Sequence, residues 1–174
     1  MNLYLLRHGI ATAGDESGIE SDSERPLTPK GIKRMRKSAK GLQHLGIAFD
    51  AILTSPLIRA RQTAEIMAEA LGLEAQLQEI SGLAPDSSVE NLLFGLTRFQ
   101  NREHLLLVGH QPLLGKTAAF LLHGKERSSL DIALKKGGIC AIEIDSLPPA
   151  EPGTLHWLLA PKHLRLLGTR AEKR

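Results

Sequence analysis

Apolar residues fall in short unbroken runs along this chain, and polar stretches with a different period separate them. The runs NLYLLR (2–7), DAILTS (50–55), HLLLVG (104–109), GICAIEI (138–144) and LHWLLA (155–160) have strand length. Continuous apolarity of that length, without alternation, suits strands covered on both faces. EAQLQEI (74–80) is a weaker run of the same kind. Between the runs the period lengthens to that of a helix. Thr28 and Pro29 open one such stretch as cap and first-turn residue; Ile32, Met35, Ala39, Leu42 and Leu45 form its stripe, and Gly46 closes it. A second helix follows Ser55-Pro56, with Ala60, Ala64, Met67, Ala68 and Leu71 on its apolar face. A third is predicted over about 88–99, and a fourth from Pro112 to about Leu122.

Strands alternating with helices predict an α/β domain, a three-layer sandwich with a mostly parallel central sheet and helices on both faces. The link DSLPPAEPGT between the last two strong runs is too short for a helical crossover, so they should pair antiparallel at the sheet's edge. The stretch 11–26, rich in acidic residues, Ser and Gly, reads as a loop. With 174 residues and no internal repeat or low-complexity linker, residues 1–174 form one expected domain, with about 166–174 as a flexible tail.

Composition narrows the partners. A net charge of +3 favours anions only weakly, and with 3% aromatic residues there is little to stack on bases, so nucleic acid is not expected. No apolar run is long enough to cross a bilayer, and Arg7 interrupts the first one too early for a signal peptide. The single cysteine, Cys140, lies in an apolar run and reads as a small core residue; one cysteine fits a reducing compartment, and the cytoplasm is the expected location. Lys33, Arg34, Arg36, Lys37 and Lys40 give the first helix a basic face, which reads first as a solvated surface and second as a docking face.

Three strand ends carry the chemistry. The first strand runs into Arg7, His8 and Gly9. The second ends in Ser55-Pro56, with Arg59 in the first turn of the helix that follows, and the third ends in Gly109-His110 before another helix. Ligands of open parallel sheets bind outside the carboxyl ends of the strands. The topology therefore places two arginines and two histidines at one edge. Taken singly, each has an ordinary structural explanation; together, at matching junctions, they predict a site. Permanently charged guanidinium groups would repel a metal ion and cannot ligate it, whereas they match a tetrahedral dianion such as phosphate. Helix amino termini add donors, and Gly9 and Gly109 let the main chain approach closely. A neutral imidazole can attack phosphorus, and the charges of Arg7 and Arg59 should keep His8 neutral. His110 then stands as the donor to phosphoryl oxygens.

The blocks LLRHG, TSPLIRARQTA and LVGHQP, in that order, resemble the histidine phosphatase superfamily, also called phosphoglycerate mutase-like. DSERPLTPKG, GLAP and LHWLLAPKHL extend the resemblance to the small bacterial phosphohistidine phosphatases over nearly the whole chain. The resemblance implies that His8 is the nucleophile that becomes phosphorylated, that Arg7 and Arg59 bind phosphate, and that His110 completes the pocket. It implies no cofactor and no metal. The implied partner is a phosphorylated protein, such as a histidine-containing phosphotransfer domain.

Larger members supply a carboxylate general acid, sought here just before LAP, where this chain has Gly82. Glu79 and Asp86 are the nearby candidates. An imidazole leaving group needs less protonation than an alkoxide, so a pocket without a strong acid favours P–N over P–O substrates. The expected activity is therefore removal of phosphate from histidine on a partner protein. The alternatives are a small-molecule phosphatase or mutase of the same superfamily, and a phosphate-reading module without turnover.

Overall fold

In a computed structural model, residues 1–13, 21–124 and 129–170 are described. Six strands form one sheet in the order β3-β2-β4-β1-β5-β6: β1 is Asn2–Arg7, β2 Ala51–Thr54, β3 Leu77–Glu79, β4 His104–Gly109, β5 Ile139–Glu143 and β6 Thr154–Leu159. β1, β2, β3 and β4 pair in parallel, while β5 runs antiparallel to both β1 and β6. The reversal expected at that end of the sheet thus lies in β5, one strand in from the edge. The weak run 74–80 yields only the short edge strand β3 behind a 3-10 turn over Glu74–Gln76.

Both faces of the sheet are covered, which is why the central strands are apolar at every position. Leu3, Leu5, Leu53, Leu105 and Leu107 face one core, with α3 (Val89–Leu96) and α4 (Leu113–His123). Tyr4, Leu6, Ile52, Leu106 and Val108 face the other, with α1 (Pro29–Gln43), α2 (Ile58–Leu71) and α5 (Pro161–Arg170). The layers follow from the pleat, since successive residues of a strand point to opposite faces.

Helix ends follow the chemistry of their residues. Thr28 Oγ1 accepts from the Gly31 amide at 2.9 Å with Pro29 at the first helical position, and Ser88 accepts from Asn91 at 3.2 Å. Gly72 and Gly124 end α2 and α4 in the left-handed region, at φ of 68° and 70°. The third predicted helix divides into α3 and a 3-10 turn over Thr97–Phe99.

Helix α5 corrects the expectation of a tail from about 166. Residues 166–170 belong to a helix seated on α1, and 171–174 lie outside the described residues, as do 14–20 of the loop read over 11–26. Leu164 is fully buried, and the two helices cross where Gly41 and Gly168 meet. A Cβ on Gly41 would collide with the Leu164 carbonyl oxygen, and one on Gly168 would collide with the Lys37 carbonyl oxygen. A stripe that rests on Leu164 and a glycine is too sparse to read as helical from periodicity.

Candidate active site

Strand register brings the junctions together. Arg7 lies opposite Gly109, and Thr54 opposite Val108, so the residues that follow leave the sheet side by side. Backbone bonds hold them there: His8 N–H donates to the Gly109 carbonyl at 3.1 Å, and Ser55 N–H to the Val108 carbonyl at 3.0 Å. The imidazoles of His8 and His110 stand 5.0 Å apart, centroid to centroid. Both are buried, as is Arg59, while Arg7 is half-buried with one guanidinium nitrogen donating to the Leu134 carbonyl at 2.8 Å.

His8 is fixed in one tautomer. Its Nδ1 lies 2.7 Å from the Gly9 carbonyl oxygen, which can only accept, so Nδ1 carries the proton and Nε2 keeps its lone pair. Burial pushes its pKa down to about 3; the Gly9 bond opposes the shift, while His110, Arg59 and Arg7 add to it. The arginines act in the direction expected from the sequence, but loss of water is the larger effect.

His110 is pushed down to about 4, first by burial and then by Arg59 and Arg7, against an opposing pull from Asp22. Its Nε2 is 2.9 Å from Ser55 Oγ, and the Ser55 hydroxyl also accepts from the Leu57 amide at 3.3 Å. The Ser55 hydroxyl can donate to Nε2 or accept from it; the tautomer in which Nε2 accepts puts the imidazole proton on Nδ1. Nδ1 has no partner among the described residues, and neither does Arg7 Nε. In that tautomer two buried donors, Arg7 Nε and His110 Nδ1, are left for a ligand's oxygens.

Several groups at the site are not among the residues expected from the sequence. Thr63, one turn after Arg59, accepts from the Gly9 amide at 3.0 Å and donates to the Arg59 carbonyl at 2.7 Å, tying the first junction to α2. Gln62 accepts from the Leu27 amide at 2.7 Å. The i,i+4 spacing of Arg59 and Thr63 was legible, since it sets both on one helix face. Asp22 was not. Its carboxylate lies 2.8 Å from one Arg59 nitrogen, its carbonyl accepts from another, and Arg25 reaches it at 2.7 Å. Arg59 and Arg25 hold the Asp22 carboxyl below the usual carboxylate range.

Two expectations change in detail. The space that Gly9 leaves is filled by α1, because a Cβ there would be 2.7 Å from Met35 Cγ; at Gly109 a Cβ would meet Leu114 and Leu83, each at 3.3 Å. These glycines admit packing neighbours. Glu79 is exposed and 3.2 Å from Arg61, and with Asp86 it lines an open cleft whose walls include none of Arg7, His8, Arg59 or His110. Gly82 is buried against α3, where a Cβ would stand 3.0 Å from Leu92 Cα. A side chain at that position would press on the backbone of α3.

A family model of the histidine phosphatase superfamily (branch 1) matches residues 3–83, the span that holds Arg7, His8 and Arg59. An uncharacterized protein of Picosynechococcus sp. is 46% identical over 145 residues, covering 82% of this chain and 84% of that protein. The chain belongs to the histidine phosphatase superfamily. Within the superfamily it is similar from end to end to phosphohistidine phosphatase SixA of Escherichia coli K12, with 28% identity over 95% of this chain and 98% of that one. Its fold matches the solved structure of the protein histidine phosphatase SixA complexed with tungstate, at a TM-score of 0.81 and 28% identity over 94% of this chain and 99% of that chain. The superfamily's phosphoglycerate mutase-like architecture is the three-layer sandwich described above. Among the described residues, no helix is long and apolar enough to cross a membrane.

Proposed function

We propose that this superfamily member is a phosphohistidine phosphatase that removes phosphate from histidine on a partner protein. The observation that carries the reading is the fixed tautomer of His8, whose Nδ1–H is bound to the Gly9 carbonyl at 2.7 Å. In the first step the Nε2 lone pair attacks phosphorus. The bond from phosphorus to the substrate imidazole breaks, and its electron pair stays on the departing nitrogen, which takes a proton from water. In the second step a water oxygen attacks phosphorus, the bond to Nε2 breaks, and inorganic phosphate leaves while the water proton passes to solvent. Arg7, Arg59 and the Nδ1–H of His110 hold the phosphoryl oxygens through both steps.

Two observations support the P–N substrate, and a third supports a phosphoryl group of either kind. Gly82 supplies no carboxylate where the larger members carry the general acid for an alkoxide leaving group. One relative that matches along nearly its whole length, SixA of Escherichia coli K12, is a phosphohistidine phosphatase. Tungstate, found in the similar SixA structure, is a tetrahedral oxyanion of the kind this cationic site suits. The partner is then a phosphoprotein such as a histidine-containing phosphotransfer domain, and the buried single thiol of Cys140 suits the reducing cytoplasm.

Rapid-quench trapping with a protein labelled on phosphohistidine should put the label on His8, and His8→Ala should abolish both label and turnover. Full turnover by His8→Ala would end the mechanism. A substrate panel separates the other readings. Activity on sugar phosphates with none on a phosphoramidate would make the protein a small-molecule phosphatase; stoichiometric binding of phosphopeptide without phosphate release would make it a reader.

A further inference from the structure

We propose that a basic cleft beside His8 docks acidic side chains flanking the phosphohistidine of the substrate protein, an inference that rests on the phosphatase reading above. The cleft has a volume of about 200 Å³ and is bordered by Gly9, the residue after His8. Arg34 on α1, Lys135 and Lys136 before β5, and Lys162 and Arg165 on α5 line it, and no carboxylate does. None of these five side chains has a hydrogen bond or ion pair with a described residue. Across the whole chain the formal excess of positive charge is only +3, so five cations in one cleft without a partner among the described residues are a marked local concentration. Two of them feel each other: burial lowers the Arg165 pKa first, and the charge of Arg34 lowers it further. An anion would relieve that repulsion.

The topology sets the cleft next to the chemistry. β1 and β6 run in the same direction, and β5 runs against them, so the end of β1, the start of β5 and the end of β6 share one edge of the sheet. The first turns of α1 and α5 stand at that same edge. Arg7, His8, Arg59 and His110 occupy it on the β1, β2 and β4 side, and the cleft occupies it on the β1, β5 and β6 side. A protein that presents its phosphohistidine to His8 lays neighbouring surface over the cleft, since successive residues are only about 3.3 Å apart along an extended chain.

The occupant follows from size and composition. About 200 Å³ admits one or two carboxylate groups and excludes a second folded element. No aromatic side chain lines the walls, so nothing there would stack a nucleic-acid base. The cleft is distinct from the outer basic face of α1, where Lys33, Arg36 and Lys37 line a separate shallow groove.

The test uses the full chain and two synthetic phosphohistidine peptides, one with flanking glutamates and one with glutamines in their place. The wild type should show a KM about tenfold lower for the glutamate peptide with kcat unchanged, the pattern of a rim charge acting on encounter and binding. Lys136→Gln/Lys162→Gln/Arg165→Gln should erase that preference and leave turnover of a small phosphoramidate unaltered. Lys136→Gln alone, outside any helix, should reduce it in the same direction. Equal KM values for the two peptides in the wild type, or a preference that survives the triple substitution, would overturn docking. If no substrate at all is turned over, the phosphatase reading falls; fluorescence anisotropy of the unphosphorylated glutamate peptide then decides docking, which stands if only the wild type binds and is overturned if the triple variant binds equally.

Discussion

Asp22 already accepts from both terminal nitrogens of Arg59, so on the proposed mechanism an incoming phosphoryl group competes with it for the same donors. Asp22→Asn should therefore tighten product inhibition by inorganic phosphate, by about tenfold or about 1.4 kcal/mol; an unchanged inhibition constant would mean that Asp22 leaves the site before phosphate enters. The two histidines make a second prediction. Their folded pKa values of about 3 and about 4 lie below the ordinary 6.5, so the unfolded chain binds more protons than the folded one in between. Their contribution to stability is complete above about pH 6.5 and is lost as pH falls toward 3. Thermal melts between pH 7 and 4 should show a steeper acid loss in the parent than in His8→Asn/His110→Asn, and parallel curves would refute the depressed values. Arg7, His8, Arg59 and His110 were legible because strand-to-helix junctions fix where a neighbouring residue goes. Asp22 was illegible because a loop has no period from which to project its side chain.

Helices were legible where caps and stripes agreed, as at Thr28, Pro29 and Gly46 around α1. They were hidden where packing depends on the absence of a side chain. Helix α5 is the case in point: Gly168 reads as a breaker in sequence, yet it is the residue that lets α5 approach α1. Gly168→Val should destabilise the fold by about 1–3 kcal/mol in denaturant titration, as overpacking does. Gly95 offers the contrast. It lies within α3 with no atom within 4 Å of where its Cβ would be, so Gly95→Ala should stabilise by about 0.5–1 kcal/mol. If the two substitutions shift the denaturation midpoint alike, the close crossing of α1 and α5 is not what requires glycine.

At the scale of the whole molecule, the sheet joins both cores through its central strands, and Cys140 sits in β5 with no exposure at all. Burial pushes its thiol pKa up to about 12. An aromatic disulfide reagent should accordingly label Cys140 only at the rate of global opening, and rapid labelling under native conditions would show that β5 detaches on its own. The position of β1 has a consequence for synthesis. It lies between β4 and β5, so Arg7 and His8 precede by about a hundred residues the partner strands that hold them in place. A message cut short before β5 thus encodes a polypeptide that contains His8 yet cannot build the walls around it, and on the proposed mechanism such incomplete products should be catalytically silent.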